Sequence, residues 1–190
     1  MTTRKRPFIN VEGKNHLGTY FWGLVPFWAK DLSIGGKLFN ARSETVGTKP
    51  SFRNAFKKRR CLIPSNGFYE WKGSTGQKQP MFLTLPDGSP FAFAGLWEIW
   101  DDTGKNETPY RSCTILTREA SASVRPIHPR MPVILKPEVF DAWLDPDNQD
   151  VKSLSEIIQN NIYTELKSVP VSKQVNLVKN DGPENIKAIK

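Results

Sequence analysis

Fifteen prolines and thirteen glycines are scattered along this chain of 190 residues. They cut it into short elements and gather at no point that would mark a boundary between domains. No internal repeat and no low-complexity linker interrupts the sequence. The length suits one domain, residues 1–190, with enough interior for a sizeable core. With 38% hydrophobic and 24% charged residues, disorder throughout is excluded.

Between the breakers, Thr19 to Val25 reads as a strand ended by Pro26, and Leu38 to Ala41 as a short extended piece. Pro50 opens a helix that runs through Arg60. Its Phe52 and Phe56 lie four apart on one face, while Arg53, Lys57, Lys58, Arg59 and Arg60 supply charge. Cys61-Leu62-Ile63-Pro64 begins a buried strand, and Gly67 to Lys72 forms the next. Pro80 to Leu85 and Pro90 to Trp97 flank Pro86-Asp87-Gly88, a hairpin signal. Arg111 to Thr117 and Pro132 to Leu135 are further strands. Pro137 to Leu144 and Val151 to Asn160 read as helices, and Tyr163 to Val171 is ambiguous, with a final strand as one reading. The expected class is α+β, a mostly antiparallel β-sheet closing into a barrel-like core with flanking helices.

The formal net charge of +8 favours a polyanionic partner, through steering and counterion release. A basic protein with no nucleic-acid role is the plain alternative. Cys61 and Cys113 read as buried free thiols in a reducing compartment. The opening Met1-Thr2-Thr3-Arg4-Lys5-Arg6-Pro7 lacks an apolar signal region, and no apolar run is long enough to span a membrane. A cytoplasmic protein is expected. Two histidines, His16 and His128, without spaced cysteine partners argue against a zinc site.

Three stretches carry side chains suited to chemistry. In Phe68-Tyr69-Glu70-Trp71-Lys72, strand alternation puts Phe68, Glu70 and Lys72 on one face and Tyr69 and Trp71 on the other. A carboxylate desolvated between aromatic neighbours has a raised pKa and carries protons near neutrality; an edge glutamate paired with Lys72 is the alternative. In Pro126-Ile127-His128-Pro129-Arg130-Met131-Pro132, three prolines stiffen a loop. His128 there suits proton transfer and Arg130 anion binding, or His128 is structural and bonded to backbone. In Phe39-Asn40-Ala41-Arg42-Ser43-Glu44-Thr45, the Asn40 amide both donates and accepts. Arg42, two residues on, shares its face and suits a phosphate; the alternative is a turn with an Arg42–Glu44 surface pair. Trp22, Trp97 and Trp100 are read as core. Trp28, in a loop-like stretch beside Lys30, suits stacking on single-stranded bases. A phosphate-binding glycine loop and a Gly-x-Ser-x-Gly nucleophile turn are both absent from the sequence.

These stretches form an ordered set with several others. They are Trp22-Gly23-Leu24-Val25-Pro26-Phe27-Trp28-Ala29-Lys30, Asn40-Ala41-Arg42-Ser43-Glu44-Thr45 and Cys61-Leu62-Ile63-Pro64. Gly67-Phe68-Tyr69-Glu70-Trp71-Lys72, Phe93-Ala94-Gly95-Leu96-Trp97 and Thr114-Ile115-Leu116-Thr117 follow. Ile127-His128-Pro129-Arg130-Met131-Pro132-Val133, then Val175-Asn176 and Asn180-Asp181-Gly182-Pro183, close it. The set resembles the SOS-response-associated peptidase (SRAP) family over most of the chain.

The resemblance implies an α+β domain around a barrel-like sheet that captures abasic sites in single-stranded DNA as a covalent DNA–protein crosslink, with an associated autopeptidase activity. It implies that Asn40 positions the N-terminal amine and the deoxyribose. Glu70 senses the lesion and moves protons, and His128 stabilises the ring-opened sugar. Arg42 and Arg130 contact phosphates, Trp28 packs against bent DNA, and Thr117 is a further DNA contact. No cofactor or metal enters, and a monomer is expected. The family's nucleophile is a cysteine directly after the initiator methionine. Its α-amine forms a Schiff base with the sugar aldehyde, and its thiol closes a thiazolidine.

Here residue 2 is threonine, and the family's opening Met-Cys-Gly-Arg and later Tyr-Asn-x-Ala-Pro are missing. Met1 aligns some way inside the family domain, so the domain is expected to be N-terminally incomplete, and Thr2 does not stand in for the nucleophile. The favoured expectation is a native protein that carries the cysteine upstream; the alternative is a shortened paralogue. For the chain as printed, little or no stable crosslink is expected. The rival functions are a noncatalytic single-strand or junction DNA-binding module and, with less support, a peptidase acting on other proteins.

Overall fold

The computed structural model describes residues 4–5, 7–11, 14–74, 76–101 and 108–189. Thr2 lies outside the described residues. In chain order the strands are β1 (Arg4–Lys5), β2 (Phe8–Val11), β3 (Lys14–Leu17), β4 (Tyr20–Trp22), β5 (Asn40–Arg42), β6 (Arg60–Ser65), β7 (Phe68–Lys72), β8 (Gln79–Thr84), β9 (Phe91–Trp100), β10 (Tyr110–Glu119), β11 (Arg130–Pro132), β12 (Ile134–Leu135) and β13 (Lys167–Pro170). The α-helices are α1 (Arg53–Lys58), α2 (Phe140–Leu144) and α3 (Val151–Asn160), and short 3-10 turns join several elements. The class is α+β.

The chain divides into two units. The first takes in Met1–Pro64, Ala92–Arg118 and Pro132–Ile162; the second takes in Ser65–Phe91, Glu119–Met131 and Tyr163–Lys190.

In the first unit the strand order is β1-β4-β10-β9-β6-β2-β3, with β5 on β10 and β12 on β9. The pairs β1–β4, β9–β10, β2–β3, β2–β6 and β9–β12 are antiparallel, whereas β10 runs parallel to β4 and β5. Among the described residues no pairing joins β1 to β3. Among the described residues the expected barrel closure is not drawn by these strands. Of the sheet's two long strands, β9 is a nearly continuous apolar run, as burial on both faces requires, and β10 is buried from Ser112 to Leu116. Leu24, Phe56, Leu62, Leu96, Leu116, Leu135, Trp143 and Leu154 meet in one core.

Helix α3 starts where the sequence places it. Asp150 accepts from the backbone N–H groups of Lys152 and Ser153, and Leu154, Ile157 and Ile158 face the core at helical spacing. The helix expected from Pro50 to Arg60 is shorter, because Arg60 leaves it to begin β6. Arg60 is 3% exposed. Its guanidinium donates to the carbonyls of Phe56, Lys57, Trp143 and Asp145, satisfying chain ends of α1 and α2. Burial lowers its pKa to about 10, with Asp145 opposing. It is a structural cation, not part of the solvated basic face that the sequence suggested.

The second unit holds a three-stranded antiparallel sheet in the order β13-β8-β7. The hairpin here is β7–β8, in which Glu70 faces Met81 and Lys72 faces Gln79. The hairpin expected across Pro86-Asp87-Gly88 is not formed. Gly88, at φ 75°, still turns the chain, but β8 pairs within the small sheet and β9 within the large one. Gly67 opens β7 because a Cβ there would run into the Phe82 ring and, at 2.7 Å, the Leu83 carbonyl oxygen. The ambiguous stretch from Tyr163 to Val171 contains β13.

Candidate active site and DNA-binding surfaces

Strand β7 alternates, so Glu70 and Trp71 leave it on opposite faces. The Glu70 side chain is 22% exposed, and its Oε1 lies 3.7 Å from Nδ1 of His128, whose side chain is 40% exposed. Desolvation raises the Glu70 pKa from its ordinary value. His128, a hydrogen bond at the Trp71 backbone and the Lys78 charge pull the other way. Glu70 therefore pairs with a histidine 58 residues on in sequence, which local sequence could not distinguish from an edge pair with Lys72.

The His128 loop is held from several points. Val124 is fully buried, and its carbonyl accepts from the N–H groups of Ile127 and His128. Ala120 N–H donates to the Pro129 carbonyl at 3.0 Å. Nδ1 of His128 lies 2.9 Å from the Arg130 carbonyl oxygen and 3.1 Å from the Arg130 nitrogen. A protonated Nδ1 donates to that carbonyl; an unprotonated Nδ1 accepts from that N–H. The ring is thus positioned in either tautomer, and proximity to a carboxylate favours the proton on Nδ1. Nε2 then carries the lone pair. Arg130 adjoins this pair within the second unit.

Asn40, Arg42 and Thr117 belong to the first unit. On β5, Asn40 and Arg42 are exposed and flank the fully buried Ala41. The parallel register sets Asn40 beside Ile115 and Arg42 beside Thr117. Asn40, Arg42 and Thr117 therefore share one face of adjacent strands. Ser43 N–H donates to the Thr117 carbonyl at 2.8 Å and fixes the exit from β5.

Trp28 is 47% exposed and its neighbour Phe27 is 52% exposed. Their loop is anchored from β9: Trp100 Nε1 donates to the Ala29 carbonyl at 2.7 Å. Glu98, 4% exposed, accepts from the Arg59 guanidinium at 2.7 Å and engages the Phe27 backbone. A cleft of about 350 Å³ lies here, lined by Phe27, Asn54, Lys58, Arg59 and Glu98. Sequence reading missed Glu98; a lone carboxylate inside the apolar run Phe91–Trp100 was the available signal. Of the tryptophans read as core, Trp100 is buried whereas Trp22 and Trp97 are half-buried.

Cys61 and Cys113 are free and buried, and burial pushes both thiols up, Cys113 to about 12. Neither offers a thiolate nucleophile. Among the described residues no His, Cys, Asp and Glu group could hold a metal, and no helix is long and apolar enough to cross a membrane.

Known proteins share this architecture. An X-ray structure of a Bacteroides thetaiotaomicron protein matches with a TM-score of 0.85 at 26% identity, covering 99% of this chain and 82% of that one. The abasic site processing protein YoqW of Bacillus subtilis (strain 168) is 43% identical over 181 residues, 95% of this chain and 80% of its own length. YedK of Escherichia coli (strain K12), also called an abasic site processing protein, is 31% identical over 178 residues, 92% of this chain and 76% of its own. The profile of the SOS response associated peptidase (SRAP) family matches residues 2–178. A match over nearly the whole chain, with relatives at this identity, shows that the chain belongs to the SRAP family.

Proposed function

We propose that this chain is an abasic site processing protein that binds single-stranded DNA and uses Glu70 and His128 to move protons at the baseless sugar. One observation carries the reading. A partly buried carboxylate of raised pKa stands 3.7 Å from an imidazole on a stiffened loop, in a chain of the SRAP family. Relatives that bear the name abasic site processing protein give the substrate. One family profile runs through both units, and we take them as parts of one domain acting as a monomer in the cytoplasm.

The ring-opened abasic sugar is an aldehyde. An α-amine, with a pKa near 8, adds to its carbonyl carbon, and loss of water gives an imine. Glu70, charged, takes the proton that the amine sheds. As an imidazolium, with Nδ1–H on the Arg130 carbonyl, His128 gives its Nε2 proton to the sugar oxygen. Asn40 orients the amine through its amide. Arg42 and Arg130 bind phosphates, Thr117 lies beside the strand, and Trp28 stacks on a base. A cysteine thiol next to the amine would close a thiazolidine. Thr2 does not supply that thiol, and the ring-closing step rests on the N-terminal cysteine that the family resemblance implies. A self-processing peptidase step needs the same N-terminal cysteine.

The test is incubation with abasic single-stranded DNA, followed by a denaturing gel. A borohydride-trapped adduct is expected on abasic DNA and not on its intact counterpart. No trapped adduct on abasic DNA would contradict the imine chemistry. The basic charge and exposed aromatics also suit a noncatalytic single-strand binder. In that case Glu70→Gln and His128→Ala leave DNA binding unchanged and trapping is absent throughout.

A further inference from the structure

We propose that a cleft beside Trp71 is a subsite for one nucleotide of the strand flanking the lesion, with its base on the Trp71 indole and its phosphate between Lys78 and Lys173. This rests on the abasic-site reading above and extends it to a part of the second unit that the proton chemistry leaves unused.

The cleft has a volume of about 320 Å³ and is lined by Trp71, Gly76, Lys78, Lys173 and Asn176. That volume is at the small end of ligand pockets and suits a compact ligand. Among the described residues its lining holds two cations and no carboxylate, which selects for an anion. Its one large apolar surface is an indole whose orientation is fixed: Trp71 Nε1 donates to Asn176 Oδ1 at 2.8 Å. With that N–H satisfied, the ring face is what remains for a ligand. A π-face beside ammonium groups is the pairing that holds single-stranded bases and their phosphates.

The wall that carries Lys173 and Asn176 is built in advance. Lys173 and Asn176 stand on a turn fixed by Ser172, whose side chain accepts from Gln174 N–H. Asn180 Nδ2 donates to the Gln174 carbonyl at 2.7 Å and braces the same turn. On the other side Gly76, at φ 90°, takes a backbone conformation that favours glycine. Trp71 follows Glu70 on β7 and faces away from it. Lys78 spans the difference: it lines the cleft, and its charge is felt at Glu70. A strand whose baseless sugar sits at Glu70 and which passes the β7–β8 hairpin end brings a neighbouring nucleotide to Trp71.

The test measures affinity by anisotropy for oligonucleotides carrying tetrahydrofuran, a stable abasic mimic, lengthened one nucleotide at a time on either side. For the unaltered protein, affinity rises about tenfold when the nucleotide that reaches the cleft is added. Trp71→Ala removes that step but binds the shorter oligonucleotide normally. Trp71→Phe retains most of the step, which separates stacking from loss of fold. Lys173→Ala reduces the salt slope by about one. A step that survives in Trp71→Ala, or no step on either side, overturns the subsite. So does competition for Trp71 by a free deoxynucleoside monophosphate that leaves strand affinity unchanged. Should the shortest abasic oligonucleotide bind no better than its intact counterpart, the abasic-site reading fails; the Trp71-dependent step still decides the subsite.

Discussion

The Glu70–His128 pair and the Asn40–Arg42–Thr117 face solve opposite problems. The first joins a strand to a distant loop and takes a carboxylate partly out of water, which shifts its pKa. The second comes from two adjacent strands and leaves its amide and guanidinium exposed to solvent. Desolvation prepares a group to move protons, and exposure prepares one to hold phosphate. A protein that must find a baseless sugar in a polyanion needs both, and it draws them from different kinds of packing.

The largest expected effect breaks the first member of the comparison. Glu70→Gln removes a base yet keeps size and hydrogen bonding. The rate of borohydride-trapped adduct on abasic single-stranded DNA then falls by about 100-fold or more, with affinity for intact DNA within about twofold. An equal fall in both would show that Glu70 grips rather than reacts. Trp28→Ala acts on the holding side and costs about 1–3 kcal/mol of binding to abasic and intact strands alike, read from equilibrium titrations. Arg42→Ala is expected to lower the salt dependence of binding by about one unit of slope, measured from the affinity across a range of salt.

The smallest effect concerns pH. Glu70 must be charged to accept a proton, so trapping rises as pH rises through its pKa. Burial places that limb above the 4.5 of an ordinary glutamate. Lys78→Ala removes a charge that draws the pKa down and is expected to move the limb to higher pH, as a pH–rate profile would record. A shift to lower pH would show that another group governs the limb.

Local patterns were legible where one element decides its own form. Asp150 and the spacing of Leu154, Ile157 and Ile158 mark α3 from sequence, and the structure places it there. Alternation along Phe68 to Lys72 also survives, with Glu70 and Trp71 on separate faces. Pairing over distance was not legible. Pro86-Asp87-Gly88 makes a turn, but the partners of the flanking strands are set elsewhere, by β7 and β13 on one side and β10 on the other. Arg60 looked like one more surface cation because the carbonyls it satisfies include those of Trp143 and Asp145, more than eighty residues away. The juxtaposition of Arg42 with Thr117 follows from a parallel register that neither strand encodes alone. The candidate residues themselves were chosen by side-chain chemistry and family resemblance; their geometry needed the fold.

The decisive measurement is the ratio of affinities for an abasic single strand and its intact counterpart, taken with the unaltered chain and with Glu70→Gln at one salt concentration. A ratio well above one that collapses towards one in the variant is what a carboxylate–imidazole pair built for the lesion must give. A ratio of one in the unaltered chain, or a preference that Glu70→Gln leaves intact, would contradict it.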